Sequence, residues 1–203
     1  MKFYLVLLFL LSSFFVVGQS HLFENNTSGF SLQGFLLPER GAPIFNITPG
    51  YVHNGRWSVN LVLGRRFSKD VNFNSIGISP SVSCLILKQG LNNKILNLNL
   101  RSYCQYVNFI DYDDIVSFSI GLGATINHQI DVNEKLKLYP GFTIWRGASI
   151  FRINNEFEGE LISGTSYILS FSTAFKNYFI EPNYALSENG GSFRLKFGII
   201  FPK

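Results

Sequence analysis

The chain has 203 residues, enough for one domain; charged residues make up only 15% of it, against roughly 25% in ordinary soluble domains, and aromatics reach 16%. The formal net charge of +4 is mild and its Lys and Arg are scattered, which argues against a nucleic-acid footprint and leaves no nucleic-acid partner to expect. Few charges with 21 Phe and 9 Tyr suit a membrane barrel with aromatic girdles.

Residues 1–18 read as a secretory signal peptide: Lys2 supplies the positive start, residues 3–17 are apolar apart from Ser12 and Ser13, and small residues follow. Cleavage after Gly18 leaves Gln19 first, with cleavage after Ser20 as the alternative. The run falls short of the ~20 residues that span a bilayer, and no later stretch is longer, so membrane residence has to come from strands. Residues 19–28 form a polar periplasmic lead-in, and residues 29–203 form the barrel domain.

The first strand is expected over 29–36, with Phe30 and Leu32 alternating with Ser31 and Gln33, and the Pro-rich loop 38–43 ends it. The second, 44–53, carries Phe45, Ile47 and Tyr51 on one face, with Pro49 tolerable at a bulge or strand end. Asn54-Gly55-Arg56 then makes a hairpin connection that pairs His53 with Trp57 and Ile47 with Leu63, so the apolar faces of the second and third (57–67) strands coincide. The fourth strand (73–88) sets Ile76, Ile78, Val82 and Ile86 against Ser75, Gly77, Ser79, Ser81 and Ser83. In the fifth (95–108), Leu96, Leu98 and Leu100 point out while Asn97, Asn99, Arg101 and Gln105 point in. Cys84 falls opposite residues 98–100, too far from Cys104 for a disulfide, so two free thiols are expected.

The sixth strand, 114–127, states the pattern most strictly. Val116, Phe118, Ile120, Leu122, Ala124 and Ile126 alternate with Ser117, Ser119, Gly121, Gly123, Thr125 and Asn127, a period of two that a strand presents as two faces. A soluble sheet usually turns long charged side chains to water; this second face is small, as the crowded inside of a narrow barrel requires, and the greasy face then meets lipid. A soluble lipocalin-like barrel would reverse the faces and carry more surface Lys and Glu. The seventh strand is expected over 136–150, and residues 151–160 read as the longest loop. The eighth strand follows and ends in a two-residue hairpin, Lys176-Asn177, that pairs Phe175 with Tyr178. The ninth shows Tyr178, Ile180, Tyr184 and Leu186 outward; in the last, Phe193, Leu195, Phe197, Ile199 and Phe201 face out.

The fold class is therefore all-β, an antiparallel up-and-down transmembrane β-barrel of ten strands, with eight the alternative if the first strand and its partner are left out. Short turns at 54–56, 89–94, 131–135 and 176–177 share one rim. Loops with Glu39, Asp70, Asp111, Asp113, Asp114, Glu156, Glu158, Glu160 and Glu188 share the other, placed outside the cell.

Asn46-Ile47-Thr48-Pro49-Gly50-Tyr51-Val52, then Asn54-Gly55-Arg56-Trp57-Ser58-Val59, and a closing Phe-Arg-Leu-Lys-Phe-Gly strand give a chain that resembles the small outer-membrane β-barrel proteins of Bacteroidota. The resemblance covers nearly the whole chain after the signal. It implies the bacterial outer membrane, with its lipids, lipopolysaccharide and barrel-assembly machinery as partners, and it brings no catalytic motif. Such barrels often end on an aromatic residue, whereas Phe201 here is followed by Pro202 and Lys203.

Four charges are expected in the interior: Arg101, Glu181, Arg194 and Lys196, with Glu181 diagonal to Lys196. They read as a neutralised plug, since small barrels are filled, with a narrow anion-attracting pore as the alternative. The lipid-facing set is Val116, Phe118, Ile120, Leu122, Phe193, Leu195, Phe197 and Ile199. His21, His53 and His128 do not converge with a Ser or carboxylate, so a barrel enzyme acting on lipid or peptide is the third reading, and no catalytic residue is expected. The acidic loops lack the spacing of a calcium loop and read as solvated charge; no metal or cofactor is expected.

Overall fold

A computed structural model of the chain describes residues 22, 27–38, 43–66, 74–90, 95–111, 115–153, 156–188 and 190–203, with only the backbone of 153 and 156–161. The signal peptide and most of the lead-in lie outside the described residues, as do His21, Glu39, Asp70, Asp113 and Asp114.

Eleven strands follow in order: β1 (Gly29–Leu37), β2 (Ile44–His53), β3 (Trp57–Arg66), β4 (Ser75–Leu87), β5 (Asn97–Phe109), β6 (Val116–Asn127), β7 (Ile130–Asp131), β8 (Leu136–Ile153), β9 (Glu156–Phe175), β10 (Tyr178–Ser187) and β11 (Gly190–Pro202). Each neighbours the next, β11 returns to β1, and β6 pairs with β8 past the two-residue β7, so ten strands close a barrel and β7 is a spur on its rim. Closure leaves no open edge along the shared wall, the arrangement that satisfies every backbone group without water.

The turns set the register. Asn54 (φ 52°) and Gly55 (φ 59°) are both left-handed, the conformation Asn-Gly adopts at least cost, and the Arg56 N–H donates to the His53 carbonyl at 3.0 Å. His53 consequently faces Trp57 and Ile47 faces Leu63. Lys176 (φ 52°) turns the second short hairpin and sets Phe175 opposite Tyr178. Cys84 faces Leu100, and both cysteines are free.

One expectation fails in the backbone. Residues 151–153 and 156–160 are strand, not loop: β8 runs to Ile153 and β9 starts at Glu156, with Phe151 facing Glu158, Arg152 facing Phe157 and Ile153 facing Glu156 after a register shift between Ser149 and Phe151. Alternation of Glu156, Glu158 and Glu160 with Phe157, Gly159 and Leu161 has the period of a strand.

The two faces are sorted as a membrane sorts them. Large apolar side chains stand exposed on the outside of every long strand, while Ser, Thr, Asn and Gln are buried inside. Outward aromatics stand toward both rims: Phe30 lies on Tyr51 at 5.1 Å between ring centroids, with Trp57, Phe175, Tyr178 and Phe201 exposed near the short turns, and Tyr106 lies on Phe118 at 5.2 Å toward the longer connections, where Phe45 and Phe193 are exposed. Among the described residues no helix is long and apolar enough to cross a membrane.

Candidate functional site

The lumen holds the chemistry, and its strands supply it through side chains of one parity. Polar partners meet in register across neighbouring strands: Asn97 Nδ2 donates to Asn127 Oδ1 at 2.8 Å, Ser119 and Ser149 share a hydroxyl hydrogen bond at 2.9 Å, and Thr125 and Thr143 share one at 2.8 Å. Such pairs satisfy buried groups that would otherwise each cost about 1–3 kcal/mol.

The charged centre spans opposite walls. On one wall Glu181 stands directly opposite Lys196, not diagonal to it, and the Lys196 Nζ lies 2.7 Å from Glu181 Oε1. The other carboxylate oxygen accepts from Ser172 Oγ. Both charged side chains are buried, 1% exposed, so the ion pair is shielded from solvent. Arg101 reaches in from β5, donates from Nη2 to Ser81 Oγ at 2.9 Å, and acts electrostatically on both Glu181 and Lys196. Arg194, buried on β11, donates from Nε to Ser192 Oγ at 3.1 Å. The centre thus carries three cations and one anion among the described residues of these strands.

Two inward aromatics, absent from the sequence-based reading, fill the space beside that centre. Tyr103 and Trp145 stack with centroids 5.0 Å apart and planes 17° from parallel, and the Arg101 guanidinium carbon lies 5.9 Å from the Trp145 ring centre. Their seats are glycines: Gly121 faces Tyr103, Gly123 faces Trp145, and a Cβ at either would collide with the ring. The small inner face of β6 is therefore the floor on which bulky rings from β5 and β8 rest. Parity alone could have found both, since Tyr103 is two residues from inward Arg101 and Trp145 shares the inward parity of Thr143.

A polar interior throughout does not describe the ends of the lumen. At the rim of longer connections Phe35, Leu37, Ile44, Val107, Phe109 and Phe151 form one buried apolar cluster. At the rim of short turns Val52, Tyr139, Ala174, Phe179 and Ile200 form another, with Leu22 of the lead-in packed against it. Apolar residues at the inward parity of strand ends read as noise in an alternation; in three dimensions they converge.

On the outer wall Phe118, Ile120, Leu122, Phe193 and Phe197 are exposed, with Leu122 at 69%, and Leu195 and Ile199 are half-buried between neighbouring strands. Val116, expected among them, is only 4% exposed: Asn108 and Arg152 stand beside it in register, and the β8–β9 hairpin extends past the end of β6. His53 and His128 are exposed at the rim of short turns, where the His128 Nδ1 is 2.8 Å from the Ile95 carbonyl oxygen. Among the described residues no group of three or more His, Cys, Asp or Glu side chains converges.

A greasy outside around a polar, ion-paired inside inverts a soluble barrel. The fold is that of an outer-membrane β-barrel. No family model matches the chain, and no curated protein matches its sequence. Among solved structures it is similar to CdiB from Acinetobacter baumannii, at 12% identity and a TM-score of 0.41, covering 86% of this chain and 32% of that one. The chain therefore spans about a third of CdiB's length. It is also similar to Ail, the attachment invasion locus protein of Yersinia pestis, solved in complex with the heparin analogue sucrose octasulfate: 16% identity, 89% of this chain, 100% of that one, TM-score 0.34. A third is Omp33 of Acinetobacter baumannii, at 6% identity, 88% and 100% coverage and a TM-score of 0.35.

Proposed function

We propose that the chain is an integral protein of a bacterial outer membrane with a closed lumen, a non-catalytic envelope component that acts through its rims rather than through a channel or an active site. The observation that carries this reading is the filling of the lumen at three levels. A buried apolar cluster lies toward each end, and between them stand Tyr103, Trp145 and Arg101 and the Glu181–Lys196 pair. A barrel of ten strands is narrow enough for side chains to fill, whereas open aqueous channels belong to much larger ones. Lipids and lipopolysaccharide contact the apolar wall, and the barrel-assembly machinery inserts it.

The histidines support the non-catalytic part of the reading, because both described ones sit on the rim, away from the hydroxyls and the Glu181 carboxylate of the lumen. Refolded protein in a planar bilayer tests the closed lumen. Silence across a range of voltage and salt is the expected result for a correctly folded barrel. Reproducible current steps altered by Lys196→Glu overturn it in favour of an anion-attracting pore, the direction in which the surplus of lumen cations points.

A further inference from the structure

Among the described residues the outer wall carries one charge within its apolar band. Arg146 is exposed on β8 at the outward parity of Phe142 and Ile144. The register fixes its level. At one end of β8 Leu136 faces Phe175, near the short turns, and toward the other end Ile150 faces Phe118 of the Tyr106–Phe118 pair. Arg146 lies ten residues from Leu136 and four, roughly 13 Å, from Ile150, so it stands in the half of the wall nearer the longer connections yet on the membrane side of their aromatics. The other described basic residues of outward parity stand at or next to strand ends: His53 in β2, Arg65 in β3 and Arg152 in β8.

A guanidinium facing hydrocarbon is costly, and such a residue marks a site whose partner has to be found. The barrel supplies none: Arg146 is in no ion pair or side-chain hydrogen bond among the described residues, and its neighbours in register are Leu122 and Thr165. A second copy of the chain supplies none at this level either, since the described carboxylates lie at the rims or, for Glu181, in the lumen. The anion therefore comes from lipid. Toward the longer connections the wall beside Arg146 is small and polar, with Ala148 facing an exposed Ser163 and Thr165 half-buried, which leaves the long side chain room to rise toward the headgroups. Toward the membrane centre it is greasy, with Leu122 and Ile144 exposed and Phe142 stacked on Tyr167, centroids 6.4 Å apart and planes 13° from parallel. This slope is complementary to an amphiphile with its anionic head toward the longer connections and its chains beneath. The guanidinium fork matches two phosphate oxygens, and the Ser163 and Thr165 hydroxyls beside it suit a sugar ring that bears the phosphate. On the reading of the chain as an outer-membrane barrel with its longer connections outside, we propose that Arg146, Ser163 and Thr165 bind the phosphorylated sugar of an outer-leaflet glycolipid, whose acyl chains lie on Leu122, Ile144 and the Phe142–Tyr167 pair.

Native mass spectrometry of the refolded protein in neutral detergent tests this, counting bound lipid during titration with phosphorylated lipid A, the same lipid dephosphorylated, and phosphatidylglycerol; heat-modifiable migration is checked on the same sample. Saturable binding of the phosphorylated glycolipid is expected, about tenfold tighter than that of either comparison lipid, and Arg146→Gln is expected to abolish the preference. Thr165→Val, expected to weaken binding about threefold, serves if Arg146→Gln does not refold. Equal binding of the three lipids, a preference for phosphatidylglycerol, or unchanged affinity in a folded variant overturns the site while leaving the barrel intact. A protein that never gives a heat-modifiable band overturns the outer-membrane reading on which the site rests.

Discussion

Glu181→Leu is the most informative single change in this barrel. It removes the carboxylate that receives both the Lys196 ammonium at 2.7 Å and the Ser172 hydroxyl, and it leaves Lys196 buried among Arg101 and Arg194 with no described anion on these strands. Breaking a buried pair from one side costs about 3–5 kcal/mol, because the remaining charge keeps its desolvation penalty without its partner. The lumen's other cations push the cost toward the upper figure. Replacing both partners, Glu181→Leu with Lys196→Met, removes two desolvation penalties together, and such exchanges are often neutral or stabilising by about 1–4 kcal/mol. The expected double-mutant cycle therefore shows a coupling of about 6–10 kcal/mol, the sum of the two single losses, with the double variant near the parent and each single well below it. Urea unfolding in phospholipid bilayers, followed by the loss of the heat-modifiable band on gels, gives the free energies. Single variants as stable as the parent, or a double variant as unstable as the sum of the singles, would refute the argument that the pair exists to neutralise itself.

Gly123→Val drives a side chain into the Trp145 ring and is expected to cost about 1–3 kcal/mol by overpacking; combining it with Trp145→Ala should return part of that loss in the same unfolding assay. Leu122→Arg puts a cation on the outer wall directly across from Arg146, and at the bilayer midplane such a change costs about 2–4 kcal/mol, so the folded fraction should drop when assembly is followed by heat-modifiability. Normal assembly would mean that this wall does not face lipid. Cys84 faces Leu100 rather than Cys104, so oxidation of the folded barrel should leave its mass unchanged and two thiols open to alkylation after unfolding.

The hairpins were legible because their chemistry is local. Asn54-Gly55 and Lys176-Asn177 each specify their turn within a few residues, and a period-two alternation then carries the register along both strands. Inside and outside were legible from Ser, Gly and Asn standing where a soluble sheet would carry Lys and Glu. What escaped was whatever depends on three or more strands meeting. The apolar ends of the lumen come from Phe35, Ile44, Phe109 and Phe151 on four different strands, and no single strand announces the cluster. The seating of Tyr103 and Trp145 on glycines of β6 is likewise a cross-strand fact, hidden while the glycines read only as small residues. Glu181 was placed inside but two residues out of register with Lys196, since Gly190 and Gly191 read as part of the turn whereas they already pair with Ser187 and Leu186. Residues 151–153 and 156–160 were misread as loop although Glu156, Glu158 and Glu160 alternate with Phe157, Gly159 and Leu161.

The closing seam has a consequence for how such a molecule comes into being. Gly29 is paired with Pro202 and Gly34 with Phe197, whose ring covers that glycine from outside, while the Lys203 N–H reaches the Ser28 carbonyl at 2.7 Å. Every other wall of the barrel is a hairpin or a near neighbour in sequence and can form as the strands arrive. The seam alone joins the first strand to the last, the costliest loop to close and the contact expected to form slowest. Until it forms, β1 and β11 both offer raw edges, and the aromatic ring of Phe197 settling onto Gly34 acts as the latch that turns a curled sheet into a sealed cylinder.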